Sequence, residues 1–106
     1  ITDIKRVGLY GLTYKENVDD TRESPTLQLL ECMRAHLAGS IKVYDPFVKN
    51  DIVDNQYHDP GEFFNDTDMV IVMVAHDEIL KNKHFLDGKV VFDTRNAFKE
   101  KDYYKL

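Results

Sequence analysis

The residues best suited to binding chemistry lie in one polar segment, residues 13–24. Lysine and arginine pair with phosphate oxygens, arginine in a bidentate manner, and neighbouring acids can orient these cations. The segment therefore suggests a site for an anionic ligand. A solvated charged loop explains the same composition, since exposed ion pairs contribute little, and composition alone favours that interpretation. Its charged residues include Lys15, Asp19, Asp20, Arg22 and Glu23, which fall within nine positions.

Paired acids after a first strand also occur in phosphoacceptor receiver domains. The phosphorylated aspartate of such a domain ends its third strand. Here the apolar run leads instead into Ala75, His76 and Asp77, and the pair Asp19-Asp20 lies far beyond the first strand. The sequence does not favour that class.

Arg95 is a third candidate cation, and it follows the apolar run 89–93. An arginine at the end of a strand can reach over a sheet to an anion or to a stacked base. The same residue is unremarkable as a surface arginine.

The run His76-Asp77-Glu78 could be a metal site or contain a general base. Adjacent residues in one turn do not converge on one metal, so we predict a turn in which Asp77 is the N-cap of a helix. The other histidines are scattered along the chain, at His36, His58 and His84.

Two further features could be mistaken for functional motifs. Cys32 lies within a predicted helix, packed or half-buried, without a basic neighbour that would activate a nucleophile. Gly8 and Gly11 follow an apolar run, but the G-x-G-x-x-G spacing of a dinucleotide loop is missing. We expect these glycines to serve tight turns.

Four apolar runs predict the strands that position these residues, with helices between them. Ser24 and Pro25 predict the N-cap and first residue of a helix whose apolar stripe extends to Leu37 and which ends at Gly39. Shorter helices are predicted at residues 60–65 and 77–83. The predicted strands are residues 6–9, 41–45, 69–75 and 89–93.

Strands that alternate with helices predict an open three-layer α/β domain with a mainly parallel sheet. Ligands of such sheets bind beyond the carboxyl ends of the strands. The segments to consider are therefore residues 10–23, 45–48, 76–78 and 94–96.

Composition limits the class of protein further. The 106 residues predict one domain, and 14 basic against 19 acidic residues give a net charge of −5, which argues against a nucleic-acid binder. One cysteine excludes an internal disulfide and a cysteine zinc cluster. No apolar run or signal sequence predicts a membrane or secreted protein, so we expect a cytoplasmic one. The missing initiator methionine predicts a piece of a longer polypeptide.

The polar segment is also the start of a family resemblance. Residues 11–15 (GLTYK) and 19–25 (DDTRESP) resemble the signature G-[LA]-[AT]-[FY]-K … D-D-x-R-E-S-P, which opens the C-terminal domain of UDP-glucose/GDP-mannose-type dehydrogenases. The resemblance continues in the family's order through residues 43–46 (VYDP), 68–72 (DMVIV) and 92–96 (FDTRN). It covers nearly the whole chain and reverses the preference for a merely solvated loop.

The resemblance implies a fold and an activity. Family members have two Rossmann-like domains joined by a long central helix. They oxidise the 6-hydroxyl of a nucleotide sugar to a carboxylate with two NAD, through a thiohemiacetal and a thioester on a cysteine. This chain resembles only the C-terminal UDP-sugar-binding domain. We therefore expect residues 1–106 to be inactive alone and to work beside an N-terminal domain that binds NAD, in a protein that is a homo-oligomer when full length.

The resemblance also implies roles for single residues. By their positions in the motif, Tyr14, Lys15 and Arg95 would contact the UDP-sugar, and Arg22 would reach NAD held by the other domain. Ser24 would cap the helix, and Cys32 lies in the wrong place to be the family's nucleophile. The loop would be ordered by Asp19, Asp20 and Glu23.

The sugar is predicted from the residues after the longest strand. UDP-glucose enzymes of the family tend to have a tryptophan there, whereas this chain has none and continues as VAHDE at residues 74–78. That run resembles UDP-N-acetylmannosamine dehydrogenases, which make N-acetylmannosaminuronate for bacterial surface polysaccharides. The alternatives are a UDP-glucose 6-dehydrogenase domain and a non-catalytic nucleotide-binding or interaction module of the same fold.

Overall fold

The computed structural model describes residues 6–13, 15–22, 24–36, 41–98 and 103–105. Within these residues the chain forms strands and helices in alternation. The helices are α1 (Pro25–His36), α2 (Pro60–Asn65) and α3 (Asp77–Lys81), and a 3₁₀ turn follows at Lys83–Leu86. The strands are β1 (Val7–Tyr10), β2 (Lys42–Tyr44), β3 (Gln56–Tyr57), β4 (Met69–Val72), β5 (Val90–Asp93) and β6 (Tyr104–Lys105).

The strands form one sheet in the order β3-β2-β1-β4-β5-β6, and every neighbouring pair is parallel. This is the strand order of a doubly wound Rossmann-like fold, in which the direction of winding reverses between β1 and β4. The predicted α/β class and its parallel sheet are confirmed. The helices in the described part lack the length and apolar character needed to cross a bilayer.

The three layers follow from the alternation of side chains along the strands. Leu9 points to the face covered by α1, where it joins a cluster with Leu30 and Val43. Its neighbour Tyr10 points to the opposite face, where it packs with Phe63 of α2 and with other buried side chains. Burial of one large apolar side chain contributes about 1.5–3 kcal/mol, so these two clusters hold the layers together.

Within the described residues, the predicted element boundaries differ from the structure by more than one residue in two places. The strand predicted for residues 69–75 ends at Val72, because the amides of Met73 and Val74 both turn to the carbonyl of Tyr10. The helix predicted for residues 77–83 ends at Lys81, and the 3₁₀ turn replaces its last residues.

Gly8 and Gly11 have different roles in the structure. Gly11 has a positive φ of 103°, and a Cβ there would lie 2.7 Å from the amide nitrogen of Val74. The prediction of a tight turn is wrong for Gly8, which lies within β1. A Cβ at Gly8 would meet the side chains of Phe63 and Thr67 at 2.6 Å, so the packing of α2 requires this glycine.

Candidate ligand-binding edge of the sheet

The site predicted from sequence lies at the carboxyl edge of the parallel sheet. Because β1 and β4 are neighbours, the segments that follow them meet where the winding of the fold reverses. The loop after β2 and the turn after β5 flank this point. The four polar segments predicted from sequence therefore share one edge.

Asp45 fills the crevice at this reversal point. It follows β2 and is almost completely buried. Its Oδ2 accepts hydrogen bonds from the amides of Leu12, at 2.6 Å, and Thr13, at 3.2 Å. Its Oδ1 accepts one from the amide of Phe47 at 2.8 Å. The Asp45 carboxylate therefore already accepts the hydrogen bonds of these two backbone amides after β1.

This arrangement differs from that of a dinucleotide-binding domain. In that fold the loop after the first strand cradles a pyrophosphate, and an acid from the second strand binds a ribose. Here Leu12 and Thr13 donate to the acid of the chain itself, and Asp45 is buried behind them. The crevice of the described chain does not fit NAD.

His76 completes the buried network. Its side chain is fully buried, and Nε2 lies 2.9 Å from Oδ2 of Asp45. Nδ1 accepts a hydrogen bond from the amide of Asn17 at 2.8 Å. The histidine therefore joins the loop after β1 to the acid after β2.

The prediction that Asp77 caps α3 is wrong. His76 occupies the N-cap position without a side-chain capping bond, and Asp77 is the first residue of the helix. Its amide donates instead to Oδ1 of Asn17, at 2.9 Å. No group of three metal-ligating side chains is found in the part of the chain that the structure describes.

Glu78 connects α3 to strands β1 and β2. Its two carboxylate oxygens accept from the hydroxyls of Tyr10, at 3.2 Å, and Tyr44, at 2.8 Å. Burial, together with the nearby Glu78 carboxylate, raises the pKa of both tyrosines above the ordinary value. These hydroxyls are therefore neutral donors, and the position of α3 is fixed beside the site.

The charged loop after β1 presents its cations to solvent. Lys15 is exposed, and Arg22 is 87% exposed. Arg22 pairs with Asp20 through two side-chain hydrogen bonds of 3.0 Å, and these bonds lower the pKa of the Asp20 carboxyl to about 2. Asp20 also accepts from the Arg22 amide at 2.9 Å, so it orders this part of the loop. Asp19 is exposed, whereas the predicted site residue Tyr14 and the predicted loop residue Glu23 lie outside the described residues.

Arg95 lies against the same loop. Its Nε is 3.5 Å from Oε1 of Glu16, the residue next to Lys15, and its side chain remains 37% exposed. Its backbone is fixed by the buried Asp93, whose Oδ1 accepts from the Arg95 amide at 3.1 Å. The structure therefore brings Arg95 to the loop that carries Lys15.

An apolar groove lies beside Arg95 between α1 and the face of β4 and β5. It has a volume of about 480 Å³. Arg95 and Thr94 form its polar end, so the groove combines an apolar wall with a cation. The apolar lining consists of Pro25, Leu29, Ile71, Met73 and Phe92.

Two predictions about α1 have different outcomes. The hydroxyl of Ser24 accepts from the amide of Thr26 at 3.2 Å, which agrees with the predicted N-cap. Cys32 is exposed rather than packed, because α1 turns the side of Leu27 and Leu30 to the sheet. No structural observation gives Cys32 a place near the candidate site.

Sequence reasoning assigned no site role to four residues that build this edge: Asn17, Glu16, and Asp45 with His76 as a pair. Segments 45–48 and 76–78 were selected because they follow apolar runs, but the sequence did not predict that Asp45 and His76 pair. Side chains at neighbouring strand ends of a parallel sheet can meet.

The comparisons with known proteins agree with this architecture. Residues 8–100 match the model of the "UDP-glucose/GDP-mannose dehydrogenase family, UDP binding domain". A UDP-N-acetyl-D-mannosamine dehydrogenase of Methanocaldococcus jannaschii is 30% identical over 116 aligned residues, which cover 98% of this chain and 26% of the relative.

Solved structures show the same domain. The UDP-N-acetyl-mannosamine dehydrogenase Cap5O from Staphylococcus aureus has a TM-score of 0.75 at 34% identity, over 95% of this chain and 26% of its own. A UDP-glucose dehydrogenase from Pyrobaculum islandicum has a TM-score of 0.77 at 25% identity, over 96% of this chain and 25% of its own. This chain thus spans about a quarter of the length of these proteins. The chain belongs to the UDP-glucose/GDP-mannose dehydrogenase family and represents its UDP binding domain.

Proposed function

We propose that this chain is the UDP-sugar-binding domain of an NAD-dependent nucleotide-sugar 6-dehydrogenase. The observation that carries the proposal is the contact between Arg95 and Glu16, which places a cation from the end of β5 against the loop of Lys15. The whole protein would be a cytoplasmic homo-oligomer in which this C-terminal domain faces an N-terminal domain that binds NAD.

The charges at the edge suit a diphosphate. Lys15 and Arg95 are both exposed, and Arg95 contacts Glu16, the residue next to Lys15, from a different strand end. A diphosphate has more than one negative charge, and charge-assisted hydrogen bonds from two cations bind it better than one does. The Glu16 contact of Arg95, at 3.5 Å, is longer than an ordinary hydrogen bond, so a phosphate oxygen can replace it.

The remaining assignments come from the family motif. Tyr14, Lys15 and Arg95 would contact the UDP-sugar, with the apolar groove next to Arg95 available to the less polar part of the nucleotide. Arg22 would contact NAD that is bound to the other domain. Since the crevice of this chain is filled by Asp45, no NAD step is assigned to it. The chain alone is expected to form no NADH.

The substrate proposed is UDP-N-acetylmannosamine, oxidised to UDP-N-acetylmannosaminuronate for surface polysaccharide synthesis. Support comes from the sequence after β4 and from relatives that are named UDP-N-acetyl-D-mannosamine dehydrogenases. Steady-state rates of the full-length enzyme with UDP-N-acetylmannosamine and with UDP-glucose test this choice. A higher kcat/KM for UDP-glucose would contradict it.

Calorimetric titration of the chain with UDP, GDP and ADP tests the binding role. We expect UDP to bind most tightly and Arg95→Ala to weaken it. Arg6→Ala is the matched control, because Arg6 is also half-exposed but lies at the opposite edge, where it pairs with Asp68. Equal binding of the three nucleotides, or equal loss in both variants, would overturn the proposal.

A further inference from the structure

The loop that carries Lys15 is tied to the buried network on both sides of that residue. On one side, the hydroxyl of Thr13 donates to the carbonyl of Lys15 at 2.9 Å. On the other side, the amide of Asn17 donates to Nδ1 of His76 at 2.8 Å. The backbone of Lys15 is therefore held between two buried anchors.

These hydrogen bonds determine which nitrogen of His76 carries the proton. A backbone amide can only donate, so Nδ1, which receives the Asn17 amide, is unprotonated. Nε2 then carries the proton and donates to Oδ2 of Asp45 at 2.9 Å. Thr13 Oγ1 lies 3.3 Å from the same nitrogen. Because the hydroxyl proton of Thr13 is donated to the carbonyl of Lys15, Oγ1 can also accept a hydrogen bond from Nε2.

The surroundings of the imidazole keep it in this orientation. The ring of Phe47 lies 4.7 Å and the ring of Tyr10 6.1 Å from its centre.

Asn17 is the exposed end of the network and has a positive φ of 59°. Its side-chain oxygen accepts from the amide of Asp77, so the loop is also fixed to the start of α3.

We propose that Asp45, His76 and Asn17 form a positioning relay that holds the loop after β1, and with it Lys15, in the conformation that binds the ligand. None of the three would touch the ligand. Asp45 sets the tautomer of His76, His76 supplies the acceptor for the loop, and Asn17 connects the loop to α3. The inference rests on the proposed UDP-sugar site, since the relay matters for binding only if Lys15 contacts the ligand.

Two substitutions at His76 test whether its Nδ1 holds the loop. In His76→Asn, the side-chain oxygen lies where Nδ1 was and can still accept from the Asn17 amide. In His76→Gln, the side-chain amide lies where Nε2 was and can donate to Asp45, but the loop loses its acceptor. Amide hydrogen exchange of Asn17, followed by NMR, is expected to stay within about threefold of wild type in His76→Asn and to accelerate about tenfold or more in His76→Gln, as expected when one hydrogen bond is lost. Equal exchange rates in the two variants would overturn the relay.

Asn17→Gly provides a second test that leaves the buried residues intact. Glycine tolerates the positive φ and keeps the backbone donor, but it removes the acceptor for the Asp77 amide. UDP affinity is expected to fall about three- to tenfold, the effect of one hydrogen bond. The matched control is Asn55→Gly, because Asn55 is also exposed with a φ of 60° but precedes β3. The two variants should have similar melting temperatures.

The outcomes distinguish the relay from the proposed function. Unchanged UDP affinity in Asn17→Gly, in a chain whose wild type binds UDP, would overturn the relay. If wild type does not bind UDP, the proposed function fails. The exchange rates of the Asn17 amide in the two His76 variants then still decide whether the relay holds the loop.

Discussion

The buried crevice and the exposed rim of the same sheet edge are built in opposite ways. In the crevice, the polar atoms of Asp45 and His76 are buried and accept or donate hydrogen bonds within the chain. On the rim, Lys15, Arg22 and Arg95 are exposed, and their described ion pairs are with acids of the same surface. In this sheet the reversal point therefore contributes to stability, and the proposed anion site is on the rim beside it.

The largest loss of stability is expected when the hydrogen bonds of the buried crevice are removed. Asp45→Ala removes the acceptor of the Leu12 and Thr13 amides and of His76, and leaves these donors buried without partners. Each buried donor left without a partner costs about 1–3 kcal/mol, so the loss of several partners at once should exceed about 3 kcal/mol. Urea unfolding measures the change, with Asp87→Ala, at an exposed acid, as the control. A loss below about 1 kcal/mol would place Asp45 among ordinary surface acids.

Variants of the rim should lose affinity for UDP and keep their stability, unlike Asp45→Ala. Lys15→Ala and Arg95→Ala are each expected to weaken UDP binding by about 1.5–3 kcal/mol, the contribution of a charge-assisted hydrogen bond. Because both cations would act on one ligand, the double variant should lose less than the sum. Calorimetry gives the affinities and urea unfolding the stabilities, which should stay within about 0.5 kcal/mol of wild type. Unfolding of either variant would assign these residues a structural role.

Gly8→Ala tests the packing of β1 against α2 separately from ligand binding. A Cβ would collide with Phe63 and Thr67, and overpacking of this kind costs about 1–3 kcal/mol. UDP affinity measured below the melting temperature should not change. Gly61→Ala in α2 is the control, since its Cβ would meet only the Asp59 carboxylate, at 3.3 Å. An unchanged stability in Gly8→Ala would show that the packing around β1 is looser than described.

The smallest change in stability is expected when the ion pair of Arg22 and Asp20 is removed. Since the pKa of Asp20 is lowered from 3.8 to about 2, the pair is favourable above the ordinary pKa and is lost as pH falls through about 2. Arg22→Ala should return the Asp20 carboxyl towards 3.8, measured by NMR titration. Stability should barely change, because exposed pairs contribute little. A wild-type Asp20 that titrates near 3.8 would mean that the pair does not persist in solution.

Short sequence motifs correctly predicted the start of α1 and the main strands. The Ser24 cap, the proline that begins α1 and the apolar strands were readable because each rests on a few adjacent residues. The edge strands β3 and β6 were not predicted, since each has two residues and too short an apolar pattern.

Contacts that depend on strand order were beyond local reasoning. Asp45 and His76 are 31 positions apart and meet only because β2, β1 and β4 are successive strands of the sheet. The error at Gly8 has a related cause, because the side chains that exclude a Cβ there come from Phe63 and Thr67. The charged loop was predicted from its residue types, but its attachment through Asn17 needed the fold.

An NMR titration of the chain with UDP and, separately, with NAD tests directly whether the ligand binds at the rim or in the crevice. We expect UDP to shift the amide signals of residues 15–22 and 94–96, while the amides of Leu12 and Thr13 stay in place and exchange slowly because Asp45 holds them. NAD should leave Leu12 and Thr13 equally unaffected. If either ligand gives its largest shifts at Leu12 and Thr13, the crevice itself is the binding site and the assignment of the site to the rim is wrong.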